Sequence, residues 1–164
     1  MTPDLRSAMR NFATGVCVAT TYADRVKGRR HDAVTVNSLT SVSLDPPLVS
    51  LCLRRDSGFL TDLLATKTWA VSILDGAAAD VARLFAKDRA TRAAGIDALC
   101  ASPGRYTGAL LLDAPGWLEC VLWGSFDIGD HTMVVGEVVA AGVQQGETFL
   151  IFLHGGYHTL ENLP

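Results

Sequence analysis

The sequence predicts a small antiparallel β-barrel with two or three helices on its outside. Three observations favour this fold class. From Trp117 onward, apolar strand-like segments alternate with short turns at residues 129–131 and 144–146. Residues 35–43 and 48–53 resemble two further strands, separated by a double proline that cannot join a β-ladder. With 164 residues and no internal repeat or linker, the chain is expected to form one domain over residues 1–164.

Each predicted element rests on a local pattern of apolar residues. Spacings of three and four residues indicate helices, alternation or short apolar runs indicate strands, and Gly or Pro marks the turns. The predicted order is a helix over residues 5–12, a strand over 16–21, a polar hairpin loop over 22–32, strands over 35–43 and 48–53, a helix over 57–64, a strand over 69–74, a helix over 77–85, an irregular segment over 87–104, and strands over 117–128, 132–143 and 148–153.

Composition narrows the possible partners. Hydrophobic residues make up 49% of the chain, so disorder is not expected. The net charge is -3, which predicts neither nucleic-acid nor anionic-membrane binding. No apolar segment has the length of a membrane span, and we expect a cytoplasmic location. Few residues are charged, and residues 117–128 are apolar on both faces, which predicts a homodimer.

The four cysteines, Cys17, Cys52, Cys100 and Cys120, are widely spaced and form no CxxC motif. Three of them lie in apolar, strand-like segments. We therefore expect reduced core residues in a cytosolic protein. A reactive thiol of low pKa is the alternative, but none of the four has a basic residue as its immediate neighbour in the sequence.

Residues 35–43 are unusually rich in hydroxyl and amide side chains. Thr35, Asn37 and Ser38 open this segment, and three further hydroxyl residues follow before the double proline. Such groups are costly beside a core unless something pairs with them. One interpretation is an edge strand that faces water, which composition alone favours. The other is a ligand rich in donors and acceptors, such as a flavin.

A helix start follows the second of these strands. Ser57 is suited to the N-cap of the helix over residues 57–64, and Arg54 and Arg55 precede it. A helix N-terminus with a hydroxyl and nearby arginines suits an anion. The alternative is that both arginines are simply solvated.

Several common chemical motifs are absent from the sequence. There is no GxGxxG, no GxxxxGK[ST] and no GxSxG. His154 and His158 are four residues apart, but Gly155 and Gly156 stand between them, so a helical metal pair is not predicted. His131 lies at a turn beside an acid, where a surface hydrogen bond is the simpler interpretation.

Several sequence segments together resemble the short-chain flavin reductase family, which has an FMN-binding split barrel. Its members are reductase components of two-component flavin-dependent monooxygenases. The matching segments, in the family's order, are FATGVCVATT (12–21), TVNSLTSVSLDPPLVSLCL (35–53), RRDS (54–57), TWAVSIL (68–74), RLFA (83–86), WLEC (117–120), GDHTMVVGEV (129–138) and GGYHTL (155–160). They span nearly the whole chain, and the combination of SVSLDPPL with GDHT is the most specific signal.

The resemblance implies a set of cofactor-binding residues. The isoalloxazine and ribityl chain would lie beside Thr35, Val36, Asn37 and Ser38; the ribityl and phosphate region beside Ser41, Val42 and Ser43; and the next strand would contribute Cys52, Leu53 and Arg54. Ser57 would bind the phosphate, and Phe85 and Arg89 fall in the segment that covers the flavin. His131 and Tyr157 would face the nicotinamide, with His131 orienting it by donating a hydrogen bond.

Two positions depart from the family pattern. Ala33 and Val34 stand where the family often has a Gly before its Thr-x-Asn-Ser segment, and Phe59 replaces a second hydroxyl after Ser57. The phosphate would then be held more by Arg54, Ser57 and backbone donors. This leaves FAD or FMN open as the flavin.

The resemblance implies an NAD(P)H:flavin oxidoreductase, with NADH before NADPH as reductant, that releases reduced flavin to a partner flavin-dependent monooxygenase. Such a reaction requires positioning of two substrates and no nucleophile or metal, which agrees with the missing motifs. Two alternatives remain at this point. One is a carrier or sensor module that retains its flavin. The other is a barrel used only for assembly.

Overall fold

The computed structural model describes residues 4–146 and 148–161, and this part of the chain is mainly antiparallel β-sheet with four short α-helices. The helices are α1 (Leu5–Met9), α2 (Gly58–Thr66), α3 (Ala79–Phe85) and α4 (Arg89–Ile96), with a 3₁₀ turn at Gly76–Ala78. The strands are β1 (Thr14–Gly15), β2 (Cys17–Arg25), β3 (Gly28–Val36), β4 (Thr40–Leu44), β5 (Pro47–Arg54), β6 (Thr68–Ile73), β7 (Ala101–Pro103), β8 (Leu110–Leu112), β9 (Gly116–Ile128), β10 (His131–Val143), β11 (Thr148–Leu153) and β12 (Gly156–Glu161).

Seven strands form the main sheet in the order β3-β2-β6-β9-β10-β5-β4. Strands β3 and β4 are its two edges, yet only three residues separate Val36 from Thr40. A flat seven-stranded sheet would place its edges about 29 Å apart, whereas that connection spans at most about 14 Å. The sheet is therefore strongly curled, and residues 37–39 cross the gap between its edges.

The core lies inside this curled sheet and under α2. Trp69, Phe59 and Leu63 are fully buried there, and each large side chain contributes about 1.5–3 kcal/mol on burial. A second apolar cluster, which includes Val16, Leu150 and Phe85, packs α3 against the sheet. Phe85 thereby ends α3 at a fixed place, which matters for the site described below.

The polar loop predicted over residues 22–32 is wrong. Strands β2 and β3 continue through it and pair from Cys17 opposite Val36 to Arg25 opposite Gly28. Only Val26 and Lys27 form the turn, and Gly28 adopts a φ of 112°, which favours glycine. Ion pairs and aromatic contacts stabilise this polar hairpin. Arg29, for example, bonds to Asp24 and stacks on Tyr22.

The single strand predicted over residues 35–43 is also wrong. The segment divides into the end of β3 and the whole of β4, which lie on opposite edges of the sheet. The predicted turn at the double proline is present, because β4 and β5 form a hairpin around Asp45 and Pro46.

Residues 87–104 are not irregular. Asp88 accepts hydrogen bonds from the amide and hydroxyl of Thr91 and so caps helix α4, which sequence periodicity did not indicate. Residues 101–103 form β7, and β12 is a further strand that was not predicted. Helix α1 ends at Met9 rather than residue 12, and Leu5, Met9 and Phe12 are exposed.

The expectation of core cysteines holds for two of the four. Cys17 and Cys120 are buried, whereas Cys52 and Cys100 are exposed. Cys52 lies on β5 between the buried Leu51 and Leu53, so the alternation of the strand turns its thiol outward. The described part of the chain contains no helix with the length and apolarity of a membrane span.

Candidate functional site

A groove of about 390 Å³ opens where the chain crosses between the two edges of the main sheet. Four pieces of the fold meet there: the end of β3 with residues 37–38, the end of β5, the N-terminus of α2, and the loop between α3 and α4. The lining residues are Val34, Thr35, Val36, Asn37, Ser38, Cys52, Leu53, Arg54, Ser57, Phe85, Ala86, Lys87, Arg92 and His131. Ten of the fifteen predicted site residues are among them.

Two hydroxyls of the groove are engaged in the fold. Thr35 donates its hydroxyl hydrogen to the carbonyl of Ala82 at 2.7 Å and so attaches β3 to α3. Ser38 Oγ accepts from the Cys52 amide at 3.0 Å and donates to the Cys52 carbonyl at 3.3 Å. Pairing of β5 with β4 reaches only as far as Ser50. At Cys52, beyond that point, the Ser38 side chain takes the place of a neighbouring strand by bonding to both backbone groups.

Two other polar side chains are unpaired. Within residues 4–146 and 148–161, neither the Asn37 amide nor the Ser57 hydroxyl has a hydrogen-bond partner. Ser57 occupies the N-cap of α2, but its side chain makes no capping bond. The first intrahelical bond is from Thr61 to the Ser57 carbonyl, so the three preceding amides also lack helical acceptors. These donors are available to an anion.

The wall of the groove between its polar ends is apolar. Three apolar residues line the groove and are buried: Phe85 is 1% exposed, Leu53 is 6% exposed and Val36 is 7% exposed. A groove that combines an apolar wall with an unpaired amide, free helix amides and a hydroxyl suits a ligand that has a flat ring and a phosphate. A flavin has these properties, so the residues present fit the cofactor that the sequence implied.

The loop between α3 and α4 is held by a buried ion pair. Arg92 donates Nε to Asp32 Oδ1 and Nη2 to Asp32 Oδ2, both at 3.1 Å. Its Nη1 donates to the carbonyl of Lys87 at 2.8 Å. Arg92 therefore joins β3 to this loop, and it places the exposed Lys87 at the margin of the groove.

His131 closes the opposite side of the groove. Its Nδ1 lies 2.8 Å from Asp130 Oδ1, and this hydrogen bond lowers the pKa of Asp130. Because an ionised carboxylate only accepts, Nδ1 carries the hydrogen, and Nε2 of the neutral ring is then an acceptor. The donor role expected for His131 would require its charged form. Arg54, beside it, forms a two-point ion pair with Asp56, whose pKa is lowered by that contact.

A second cavity of about 230 Å³ adjoins the groove and shares Thr35, Asn37 and Ala86 with it. Tyr157 lines this cavity with Val16, Ala86 and Phe152. Tyr157 is tilted against Phe152 with ring centroids 5.4 Å apart, and burial raises the pKa of its hydroxyl. Tyr157 is thus brought to the same region as the groove, next to Asn37.

Four predicted residues line neither cavity. Ser41, Val42 and Ser43 lie on β4, where a bulge at Val42 interrupts pairing with β5. Arg89 is turned toward two aspartates: its Nε lies 3.2 Å from Asp32 Oδ2, and its Nη2 contacts Asp62 closely.

Sequence reasoning missed Lys87 and Arg92 as groove residues. The sequence showed several basic residues within 87–104 but gave no way to tell which of them lines the groove. Arg92 is distinguished only by its contact with Asp32, 60 residues away. No group of three or more His, Cys, Asp or Glu side chains in the described ranges could hold a metal ion.

A family model and two related proteins all identify this chain as similar to flavin reductases. The model of the flavin reductase like domain matches residues 9–161. An NADH-dependent FAD reductase of Streptomyces globisporus is 35% identical over 157 residues, which cover 93% of this chain and 82% of that protein. A probable flavin reductase of Rhizobium meliloti (strain 1021) is 35% identical over 155 residues, covering 94% of this chain but only 48% of that protein.

Among solved structures, one similar chain is the flavin reductase component of a bacterial two-component tryptophan halogenase. It superposes with a TM-score of 0.88 at 35% identity, and the match covers 97% of this chain and 98% of that one.

Proposed function

Because this chain belongs to the flavin reductase like domain family, we propose that it is an NADH-dependent flavin reductase that reduces FAD. The observation that carries the proposal is the groove in which Asn37, Ser57 and His131 surround an apolar wall. Its shape and unpaired donors suit a flavin, and its remaining polar groups suit a nicotinamide. The flavin, when bound, supplies the redox chemistry by accepting a hydride from the nicotinamide.

The residues of this chain perform three tasks in that reaction. Asn37 and the free amides at the start of α2 bind and orient the flavin, the latter together with Ser57. Phe85 and Leu53 form a dry wall that excludes water from one side of the groove. His131, fixed by Asp130, presents Nε2 to the nicotinamide. Holding the two reactants close together and correctly oriented lowers the barrier to such a hydride transfer.

We further propose that the reduced flavin is released to a partner flavin-dependent monooxygenase. Asn37, Cys52 and Arg54 are exposed, so this part of the groove is open to solvent. An open groove suits a flavin that enters and leaves as a substrate. The related halogenase component supports this role, since it too is a reductase that belongs to a two-component system.

The curled sheet is proposed to form a split barrel that pairs with a second copy of the chain. Beyond Val121, strand β9 no longer pairs with β6, and its far end pairs only with β10. Trp123, Phe126 and Ile128 on that end are 57%, 46% and 56% exposed. Aromatic and aliphatic side chains so exposed along a free edge favour burial in a homodimer.

The deciding experiment is a grid of steady-state assays. NADH and NADPH are each combined with FAD, FMN and riboflavin, and both nicotinamide oxidation and loss of the flavin's visible absorbance under anaerobic conditions are followed. The proposal expects turnover with NADH and FAD. Absence of flavin reduction in every cell of the grid would refute it.

A further inference from the structure

A cluster of arginines continues the groove past the N-terminus of α2. It joins strands β2 and β3 to helices α2 and α4, and we refer to it as the arginine cluster. Its members are four arginines and two aspartates: Arg25, Arg30, Arg89, Arg92, Asp32 and Asp62.

The arginine cluster contains more positive than negative charge. Asp62 forms ion pairs with three of the arginines: Arg30 at 3.4 Å, Arg25 at 3.8 Å, and Arg89 in close contact. Both aspartate side chains are buried, whereas the Arg25 and Arg30 side chains are 56% and 48% exposed. Four guanidiniums on two carboxylates leave two positive charges, displayed on the solvent side, that an anion could neutralise.

The surplus charge is directly continuous with the groove. A methyl group added at Gly58 would collide with Nη1 of Arg89, so this nitrogen lies against the start of α2, next to Ser57. Nη1 has no hydrogen-bond partner within the described ranges, since Arg89 uses Nε and Nη2 for its ion pairs. One free guanidinium nitrogen, the Ser57 hydroxyl and the unpaired amides of α2 therefore lie close together.

A cavity of about 360 Å³ extends from this point along β3. Arg30, His31, Asp32, Arg89, Ala90 and Ala93 line it. The cavity has cationic side chains on two sides and is large enough for more than a phosphate group.

We propose that Arg30 and Arg89 bind the second phosphate of FAD, the one on its adenylate side, and that the chain consequently binds FAD more tightly than FMN. This deepens the proposed function and rests on it. A single phosphate at the start of α2 is common to both flavins. Only FAD extends further, and guanidinium forks bind phosphate oxygens with charge-assisted, two-point hydrogen bonds.

The same phosphate chemistry is present in NADH, which also carries an adenylate half. FAD is the favoured source because Nη1 of Arg89 lies against the start of α2, next to Ser57, where the flavin phosphate is expected, whereas Tyr157 lines the adjoining cavity with Asn37. Separate measurements with the two dinucleotides distinguish the sources.

The test variant is Arg30→Gln, since Asp62 keeps Arg25 and Arg89 as partners when Arg30 is changed. Dissociation constants of oxidised FAD and FMN are measured by calorimetry without any nicotinamide. We expect FAD binding to weaken about tenfold, the loss of one charge-assisted contact, while FMN binding stays unchanged within about twofold. Arg30→Lys, which keeps the charge but loses the fork, should fall between.

Arg6→Gln is the matched control, because Arg6 is an exposed arginine of α1. It should leave both constants unchanged. Equal losses for FAD and FMN in Arg30→Gln, or no loss for either, would overturn the proposal. A raised KM for NADH with unchanged FAD binding would overturn it as well and assign the arginine cluster to the nicotinamide dinucleotide.

Failure here can be separated from failure of the proposed function. If the wild-type chain reduces no flavin with NADH, the proposed function is lost, whatever the FAD to FMN affinity ratio. If the wild type reduces FAD and Arg30→Gln shows an unaltered ratio, only the role of the arginine cluster is lost.

Discussion

Arg92 on α4 and Asp32 on β3 form a buried two-point ion pair, with both N–O distances at 3.1 Å. The same guanidinium bonds to the Lys87 carbonyl in the loop that walls the candidate site. One side chain, Arg92, therefore holds α4 to β3 and also fixes the loop that lines the groove. The geometry of the groove depends on this pair, although Asp32 itself does not line the groove.

Removing one partner of this pair should destabilise the fold strongly. In Arg92→Met, Asp32 keeps the Ala33 amide and Arg89, but this buried carboxylate loses its two-point partner. We expect the free energy of unfolding to fall by about 3–5 kcal/mol, measured by urea denaturation. Arg83→Met is the control, because its pair with Asp80 is exposed and is worth at most about 1 kcal/mol. Similar losses in the two variants would contradict the structural role of Arg92.

The second prediction concerns close packing in the main sheet. A methyl group at Gly136 on β10 would collide with the fully buried ring of Trp69 on β6. Gly136→Ala should therefore destabilise the chain by about 1–3 kcal/mol, seen as a lower melting temperature. At Gly124 on the neighbouring strand, the added methyl would only reach Phe126 at 3.4 Å. Gly124→Ala should have little effect on the melting temperature. A larger decrease for Gly124→Ala than for Gly136→Ala would contradict the close packing of Gly136 against Trp69.

The third prediction uses the thiols as reporters of the groove. Burial raises the pKa of Cys17 and of Cys120 to about 12, so neither forms a thiolate near pH 8. A thiol reagent should modify only the exposed Cys52 and Cys100 in the native protein. Because Cys52 lines the groove, added FAD should slow its modification and leave Cys100 unaffected.

The variants Cys52→Ser and Cys100→Ser identify which thiol is protected. Protection by FAD should vanish in Cys52→Ser and persist in Cys100→Ser, and the reverse pattern would place the flavin elsewhere.

The same two buried thiols predict the response to alkali. Their pKa in the folded chain lies above the ordinary value of 9.0. The unfolded chain therefore releases these protons first, and stability that is complete below pH 9 should decline between about pH 9 and 12. Unfolding curves of Cys17→Ala across this range should show a smaller decline than the wild type.

The parts of the fold that were predictable from sequence are those set by local patterns. Strands such as β6 and β9 followed from apolar runs, and the turn before β5 followed from its prolines. A hairpin was predicted at residues 22–32, but the continuation of β2 and β3 through this polar segment could not be predicted, because it is stabilised by partners far away in sequence. Arg30, for example, pairs with Asp62 on α2.

The candidate site was predictable where a family motif covers it and not where tertiary contacts build it. Asn37 and Ser57 lie in recognisable segments, and both line the groove. Lys87 and Arg92 lie in a segment without periodicity, and their placement depends on Asp32. The sequence also did not show that β3 and β4 lie on opposite edges of the sheet, because this arrangement depends on the curling of all seven strands.

Another prediction addresses the proposed homodimer. Trp123→Ser removes a large exposed side chain from the free edge of β9, and sedimentation should show a shift toward monomer. Val26→Ser is the matched control, since Val26 is an even more exposed apolar residue but lies at the β2–β3 turn. A wild-type chain that sediments as a monomer at all concentrations would exclude the dimer.

The last prediction separates the two substrates at His131. This side chain lines the groove, and its Nδ1 is held by Asp130, so we expect Nε2 to contact the nicotinamide. His131→Ala should raise the KM for NADH about tenfold, the loss of one hydrogen bond, while the dissociation constant of FAD changes little. His131→Gln, whose amide can reach a similar position, should recover part of the loss. Asp130→Asn leaves the ring in place but removes the carboxylate that fixes Nδ1 as the protonated nitrogen, so it should raise the same KM by less. Equal losses of NADH and FAD affinity in His131→Ala would show that His131 serves the flavin instead.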